Sequence, residues 1–148
     1  MPITSPVVTG TEADLYAEIQ QFYARQMQLL DSGNAAEWAD TFTQDGVFAA
    51  NARPEPARGR ETIRAAAAQA KAQHAQQGLQ VRHWLGMLDI AAQPDGSVRV
   101  RSYALIINTP RGGQAVIQLS TTCEDLLVRG EAGDWLVSHR QVVRDDLR

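Results

Sequence analysis

The 148-residue chain holds a single cysteine, Cys123, so it can form no disulfide within itself and cannot build a cysteine-rich zinc site. Lysine is almost as scarce. Lys71 is the only one among 14 basic residues, which removes most candidates for a Schiff-base or ammonium catalyst. No stretch approaches the run of about 18 apolar residues that a membrane span requires, and the opening MPITSPVVTG lacks the basic and apolar regions of a signal peptide. The expectation is a cytoplasmic protein without a membrane partner. There is no excess of positive charge either: the formal net charge is −3, and a duplex nucleic acid needs a basic stripe to displace its counterions. No ligand-spaced motif of His, Cys, Asp and Glu occurs, and no glycine-rich fingerprint joins a strand to a helix. Neither a metal nor a nucleotide cofactor is therefore expected.

What the chain does have is the composition of one folded domain, 44% hydrophobic and 21% charged. Residues 1–10 have no periodicity and are expected to be a flexible lead-in to a single domain over 11–148. From Thr11 to Asp31, with Thr11 as cap, the residues Leu15, Ile19, Phe22, Tyr23, Met27 and Leu30 fall at helical spacing, and Ser32-Gly33 ends the helix. A second helix fits Ala35 to Phe42, capped by Asn34. Gln44-Asp45-Gly46 is turn chemistry before a short strand, Val47 to Asn51, and a loop carries Pro54 and Pro56. A third helix follows from Arg60 to about Gln77, rich in alanine and stopped by Gly78. The remainder alternates as four strands, Leu79–Ala91, Ser97–Thr109, Gln114–Val128 and Asp134–Arg144, joined by Pro- and Gly-rich turns. Three helices ahead of an antiparallel meander predict an α+β fold in which a strongly curved sheet wraps the helices as a cone, with a pocket on the concave face beside helix one. Alternation on the strand at 79–91 places Val81, Leu85 and Met87 on one face and Trp84, Leu88 and Ile90 on the other. Two apolar faces suggest that the convex side is covered as well, by a second copy in a homodimer.

The order of elements, together with Leu30-Asp31-Ser32-Gly33-Asn34, Trp38-Ala39-Asp40-Thr41-Phe42, Asp45-Gly46-Val47-Phe48 and Arg58-Gly59-Arg60-Glu61-Thr62-Ile63-Arg64, resembles the NTF2-like or SnoaL-like superfamily from about Leu15 to Asp145. Within it, Val81-Arg82-His83-Trp84-Leu85-Gly86 is similar to the strand bearing the catalytic histidine in scytalone-dehydratase-like members. The resemblance implies His83 in that role, with Asp31 as its aspartate partner. Other positions depart from the pattern: the two tyrosines of the dehydratase fall on Leu30 and Ala50, its second histidine near Asn108 and its asparagine near Cys123. A steroid-isomerase design is not expected, since its aspartate would lie at Ala50 and its tyrosine at Gln26. The whole is most similar to small tailoring proteins of bacterial aromatic polyketide pathways of the pyranonaphthoquinone type.

The residues give the same centre of interest. An imidazole can accept and donate a proton within one turnover, and on its strand His83 projects among apolar neighbours, where a buried histidine needs a partner. Asp31, four residues beyond Met27 on the same stripe, can accept its Nδ1 proton. Loss of water α,β to a carbonyl also needs a donor for the enolate oxygen. Asn108 and Asn51 are the first candidates, Gln26 and Tyr103 the next. Trp38 and Phe48, among the aromatics of the helix hairpin and first strand, could wall a planar ligand. Cys123 has no basic neighbour in sequence and reads as a small pocket-side hydrophobe rather than a nucleophile. His74, on a polar helix, reads as solvated. The expected activity is cofactor-free dehydratase or cyclase chemistry on a small aromatic polyketide. The alternatives are an escort protein that binds without turnover and the small subunit of an oxygenase.

Overall fold

A computed structural model describes residues 10–148; the lead-in expected over 1–10 falls outside them except for Gly10. Helix α1 spans Gly10–Asp31, so Thr11 lies inside its first turn rather than capping it. The stripe Ile19, Tyr23, Met27 is buried, as its spacing requires. At its end the N–H of Asn34 reaches the carbonyl of Leu29 at 3.0 Å, and Gly33 takes φ +89, the left-handed turn that glycine makes without steric cost. Helix α2 is only Ala35–Ala39. Phe42, expected at its end, instead opens strand β1, Phe42–Ala50. Its ring is wholly buried, and Trp38 meets it edge-on at 5.0 Å. The predicted turn at 44–46 lies inside β1, where the register shifts between Phe42 and Val47. A two-residue strand β2, Ala57–Arg58, occupies part of the expected loop. Helix α3 covers Arg60–Gln76.

Four long strands follow: β3 Leu79–Ala92, β4 Val98–Pro110, β5 Val116–Arg129 and β6 Trp135–Arg144. The sheet order is β2-β1-β6-β5-β4-β3; β1 runs parallel to β6, and every other pairing is antiparallel. The three helices pack on this curved, mostly antiparallel sheet. Between them lies the core, with Ile19, Phe42, Val98, Val100, Leu127, Trp135 and Val137 buried.

One local feature changes the face assignment on β3. A bulge between Gly86 and Asp89, with Met87 at φ 57, inserts an extra residue and reverses the alternation. Val81, His83 and Leu85 before it therefore share the helix-facing side with Leu88 and Ile90 after it, while Met87 is 77% exposed. The expected grouping of Met87 with Val81 and Leu85 fails for this reason. No helix among the described residues is long and apolar enough to cross a membrane.

Candidate active site

His83 lies on β3, the edge strand of the sheet, paired with Ile106 of β4. An edge strand leaves alternate N–H groups without a strand partner, and Asp31 takes the one at His83. Its Oδ2 accepts the His83 backbone N–H at 3.0 Å, and its Oδ1 lies 2.6 Å from the ring Nδ1. One carboxylate thus holds both the backbone and the imidazole of a single residue. Asp31 is buried, and the His83 side chain is about one quarter exposed. With Nδ1–H donated to Asp31, the free atom of the ring is Nε2, the one that can exchange a proton with a ligand.

The position of Asp31 is electrostatically awkward. It is the last residue of α1, where the negative end of the helix macrodipole disfavours a carboxylate. Lys71 relieves this: its Nζ donates to the Asp31 carbonyl at 2.8 Å. The approach depends on Gly33, where a Cβ would stand 3.2 Å from Lys71 Cε.

The pair borders a half-open cavity of about 330 Å³ between α3 and the sheet. Its apolar walls include Trp38, Phe48, Ile63, Val81, Ile106 and Leu119, and Ala50, Ala66, Ala67 and Ala70 keep it wide. Asp31 and His83 also border an open depression of about 760 Å³ between α1 and the edge of β3. The dyad is common to the two spaces, but the aromatic and aliphatic walls of the smaller one suit an apolar ligand.

Of the residues singled out in the sequence, the structure brings His83, Asp31, Trp38 and Phe48 together around this cavity. It puts the others elsewhere. Gln26 is fully buried in the core, donating to Thr41 Oγ1 at 2.8 Å and accepting from Arg140 Nη2 at 2.7 Å. Cys123 belongs to the same buried network, its Sγ 3.4 Å from Asp125 Oδ1; burial, with Asp125 beside it, pushes its thiol up to about 12, so it is a poor thiolate. Asp125 in turn accepts from Tyr23 at 2.7 Å and from two nitrogens of Arg140 at 2.9 Å. Tyr103 pairs with Gly86 on the convex side and is 59% exposed. Asn51 is exposed and clamps the backbone of Arg144 through both its amide atoms, at 3.2 and 2.8 Å. Asn108 stands opposite Val81 but outside the cavity wall, and its Oδ1 is buried without a hydrogen-bond partner among the described residues.

Two cavity residues of α3 escape the sequence reading. Lys71 was noted only for its rarity, and His74 was expected in solvent; both line the cavity and are half-buried. The signal was present in α3, where Ile63, Ala67, Ala70 and His74 follow helical spacing on one face, but a stripe of alanines looks like neutral helix filler. Burial, and then the neighbouring charges of His83 and Lys71, hold the His74 pKa below the ordinary histidine range. His139 is exposed. Among the described residues, no three His, Cys, Asp or Glu side chains are grouped so as to hold a metal ion.

Comparison with known proteins decides the family. Residues 11–141 match the model of the SnoaL-like domain. The chain belongs to the SnoaL-like family. Among solved structures, ActVI-ORFA from Streptomyces coelicolor is 33% identical, covering 90% of this chain and 96% of that one with a TM-score of 0.83. Aln2 from a Streptomyces species is 32% identical over 99% and 96%, with a TM-score of 0.83. A Catenulispora acidiphila protein solved in complex with S-DNPA is 41% identical over 90% and 96%, with a TM-score of 0.78. No curated protein matches the chain significantly.

Proposed function

We propose that this SnoaL-like protein removes water from, or closes a ring in, an aromatic polyketide intermediate by acid/base chemistry without a cofactor. The observation that carries this reading is the His83–Asp31 contact at the wall of an apolar cavity. Asp31 fixes the tautomer, so Nε2 of His83 is the atom that takes a carbon-bound proton and supplies one to the departing hydroxyl. Lys71 spends one ammonium N–H on the Asp31 carbonyl and has two others with which to hold an enolate oxygen. This is the donor role for which the two asparagines were first considered. Trp38 and Phe48 stack against the planar body. ActVI-ORFA and Aln2 support the polyketide class of the substrate, and the relative solved with S-DNPA supports a small-molecule ligand.

The test is turnover of a bicyclic β-hydroxy ketone, β-hydroxytetralone, which loses water to give naphthol. The parent is expected to accelerate this reaction and the His83→Ala variant to lose at least about a hundredfold of the rate. A variant as fast as the parent would end the proposal. One observation favours a second reading, an escort that binds without turnover: the amide and phenol donors Asn51, Asn108, Gln26 and Tyr103 all lie outside the cavity wall. Saturable binding of S-DNPA with no release of naphthol from the ketone would decide for it.

We also infer that the protein pairs with a second copy through the convex face of the sheet. Trp84 and Ile117 are 70% and 63% exposed, and Tyr103, with half-buried Leu105 and Ile107, completes an apolar patch on the side away from the helices.

A further inference from the structure

We propose that His74 is a second proton-transfer residue of the cavity, acting as base from the helical wall while His83, backed by Asp31, acts as acid from the sheet. This rests on the acid/base reading above and divides between two groups what a single imidazole would otherwise do in turn. Four observations support it. His74 on α3 and His83 on β3 line the same cavity, from its two opposite layers. They are close enough for a charge on His83 to be felt at His74. Lys71, one turn before His74, is bonded to the Asp31 carbonyl, which ties this part of α3 to the helix end that carries the dyad's carboxylate. Finally, the two rings are equipped for different charge states.

A proton on His83 is compensated by Asp31 at 2.6 Å. His74 has no hydrogen bond or ion pair to a described residue. The charged or titratable groups around its cavity are Lys71 on its own helix, Asp31 of α1, Arg53 of the β1–β2 loop, His83, and Arg144 of β6. All but Asp31 and the two imidazoles are permanent cations, and Asp31 is committed to His83. His74 is therefore the neutral imidazole of the pair, the state a base requires. In the step, neutral His74 takes the proton from the carbon next to the carbonyl. The C–H electron pair becomes the new C=C bond, and the C–O bond to the β-hydroxyl breaks. That oxygen leaves as water with the Nε2 proton of the His83 imidazolium. One proton has moved from His83 to His74, and exchange with solvent at the mouth restores the starting state.

The experiment measures kcat, KM and their pH profiles for β-hydroxytetralone in the parent, His74→Gln and His83→Gln, with near-ultraviolet circular dichroism to verify the fold. His74→Gln keeps the size and polarity of the side chain. It is expected to lower kcat at least tenfold with KM nearly unchanged and to remove the acidic limb of the kcat profile. A His74→Gln variant that folds and keeps the parent's kcat and profile, or that raises KM alone, overturns the proposal. If His83→Gln is itself without effect, the acid/base reading fails as well; if His83→Gln is inactive while His74→Gln is not, only the present inference falls.

Discussion

Asp31 grips His83 twice, accepting the backbone N–H at 3.0 Å with one oxygen and facing ring Nδ1 at 2.6 Å with the other. Asp31→Asn keeps the size but not this arrangement. An amide has one accepting oxygen, and its NH2 would face either the backbone N–H or the ring N–H of His83, donor against donor. The ring is then free to turn or to change tautomer. The expected result is a fall in turnover of β-hydroxytetralone of about a hundredfold or more, together with a change in the 15N shifts of His83. Parent-like rate and shifts would show that the carboxylate has no part in orienting the ring.

The pairing of Asp31 with His83 was legible through the resemblance to scytalone-dehydratase-like members, and the residues agree with it: Asp31 closes a helix stripe through Met27, and His83 lies in an alternating strand. The rest was obscured by local departures from regularity. The bulge at Gly86–Met87 reverses the strand faces, and apolar residues at both parities of this strand hide the phase change that one inserted residue makes in a period-two pattern. Phe42 suits a helix end as well as a strand start, and only its burial against Trp38 selects the strand. Gln26 is a polar residue on an otherwise apolar stripe, and sequence cannot tell whether such a residue meets a ligand or, as here, a buried arginine. In α3 the informative residues, Lys71 and His74, follow a run of alanines, of which Ala66, Ala67 and Ala70 by their small size make room for the cavity.

The Arg140–Asp125 pair makes a stability prediction independent of function. Both side chains are at least nine-tenths buried and meet through two bonds of 2.9 Å. Asp125→Asn leaves a buried guanidinium whose charge nothing offsets, a change that costs about 3–5 kcal/mol. Urea denaturation should give a loss of that order with the slope unchanged. A loss below about 1 kcal/mol would mean that water reaches the pair in solution.

Cys123 shares this network and should be inert. With its thiol held near 12 by burial and by Asp125, almost no thiolate exists at pH 8. Ellman's reagent is expected to label the folded protein hardly at all and the urea-unfolded protein fully. Rapid labelling of the native state would contradict the burial of this side chain.

His74 makes stability depend on pH with a definite sign. Its pKa is lowered in the folded protein, by burial first and then by His83 and Lys71, so below about pH 6.5 the unfolded chain binds a proton that the folded one resists. Stability from this site is intact above that pH and is lost as the pH falls toward the depressed folded value. The Tm of the parent should therefore drop more steeply on acidification from pH 7 than the Tm of His74→Gln. Parallel curves would show that the folded environment does not disfavour the charged ring.

The convex face predicts an oligomer. Trp84 stands opposite Leu105, and Ile107 opposite Ile117, so the exposed apolar side chains are contiguous across three strands rather than scattered. A charge placed at the centre of such a patch cannot be desolvated without a partner. Sedimentation equilibrium should give the parent a mass of twice 16.2 kDa and Trp84→Arg the mass of one chain. The cavity lies on the other face of the sheet, so the variant should still bind S-DNPA if each site is built from one chain. A parent that sediments as a monomer at micromolar concentration would remove the second copy and leave this patch without an occupant.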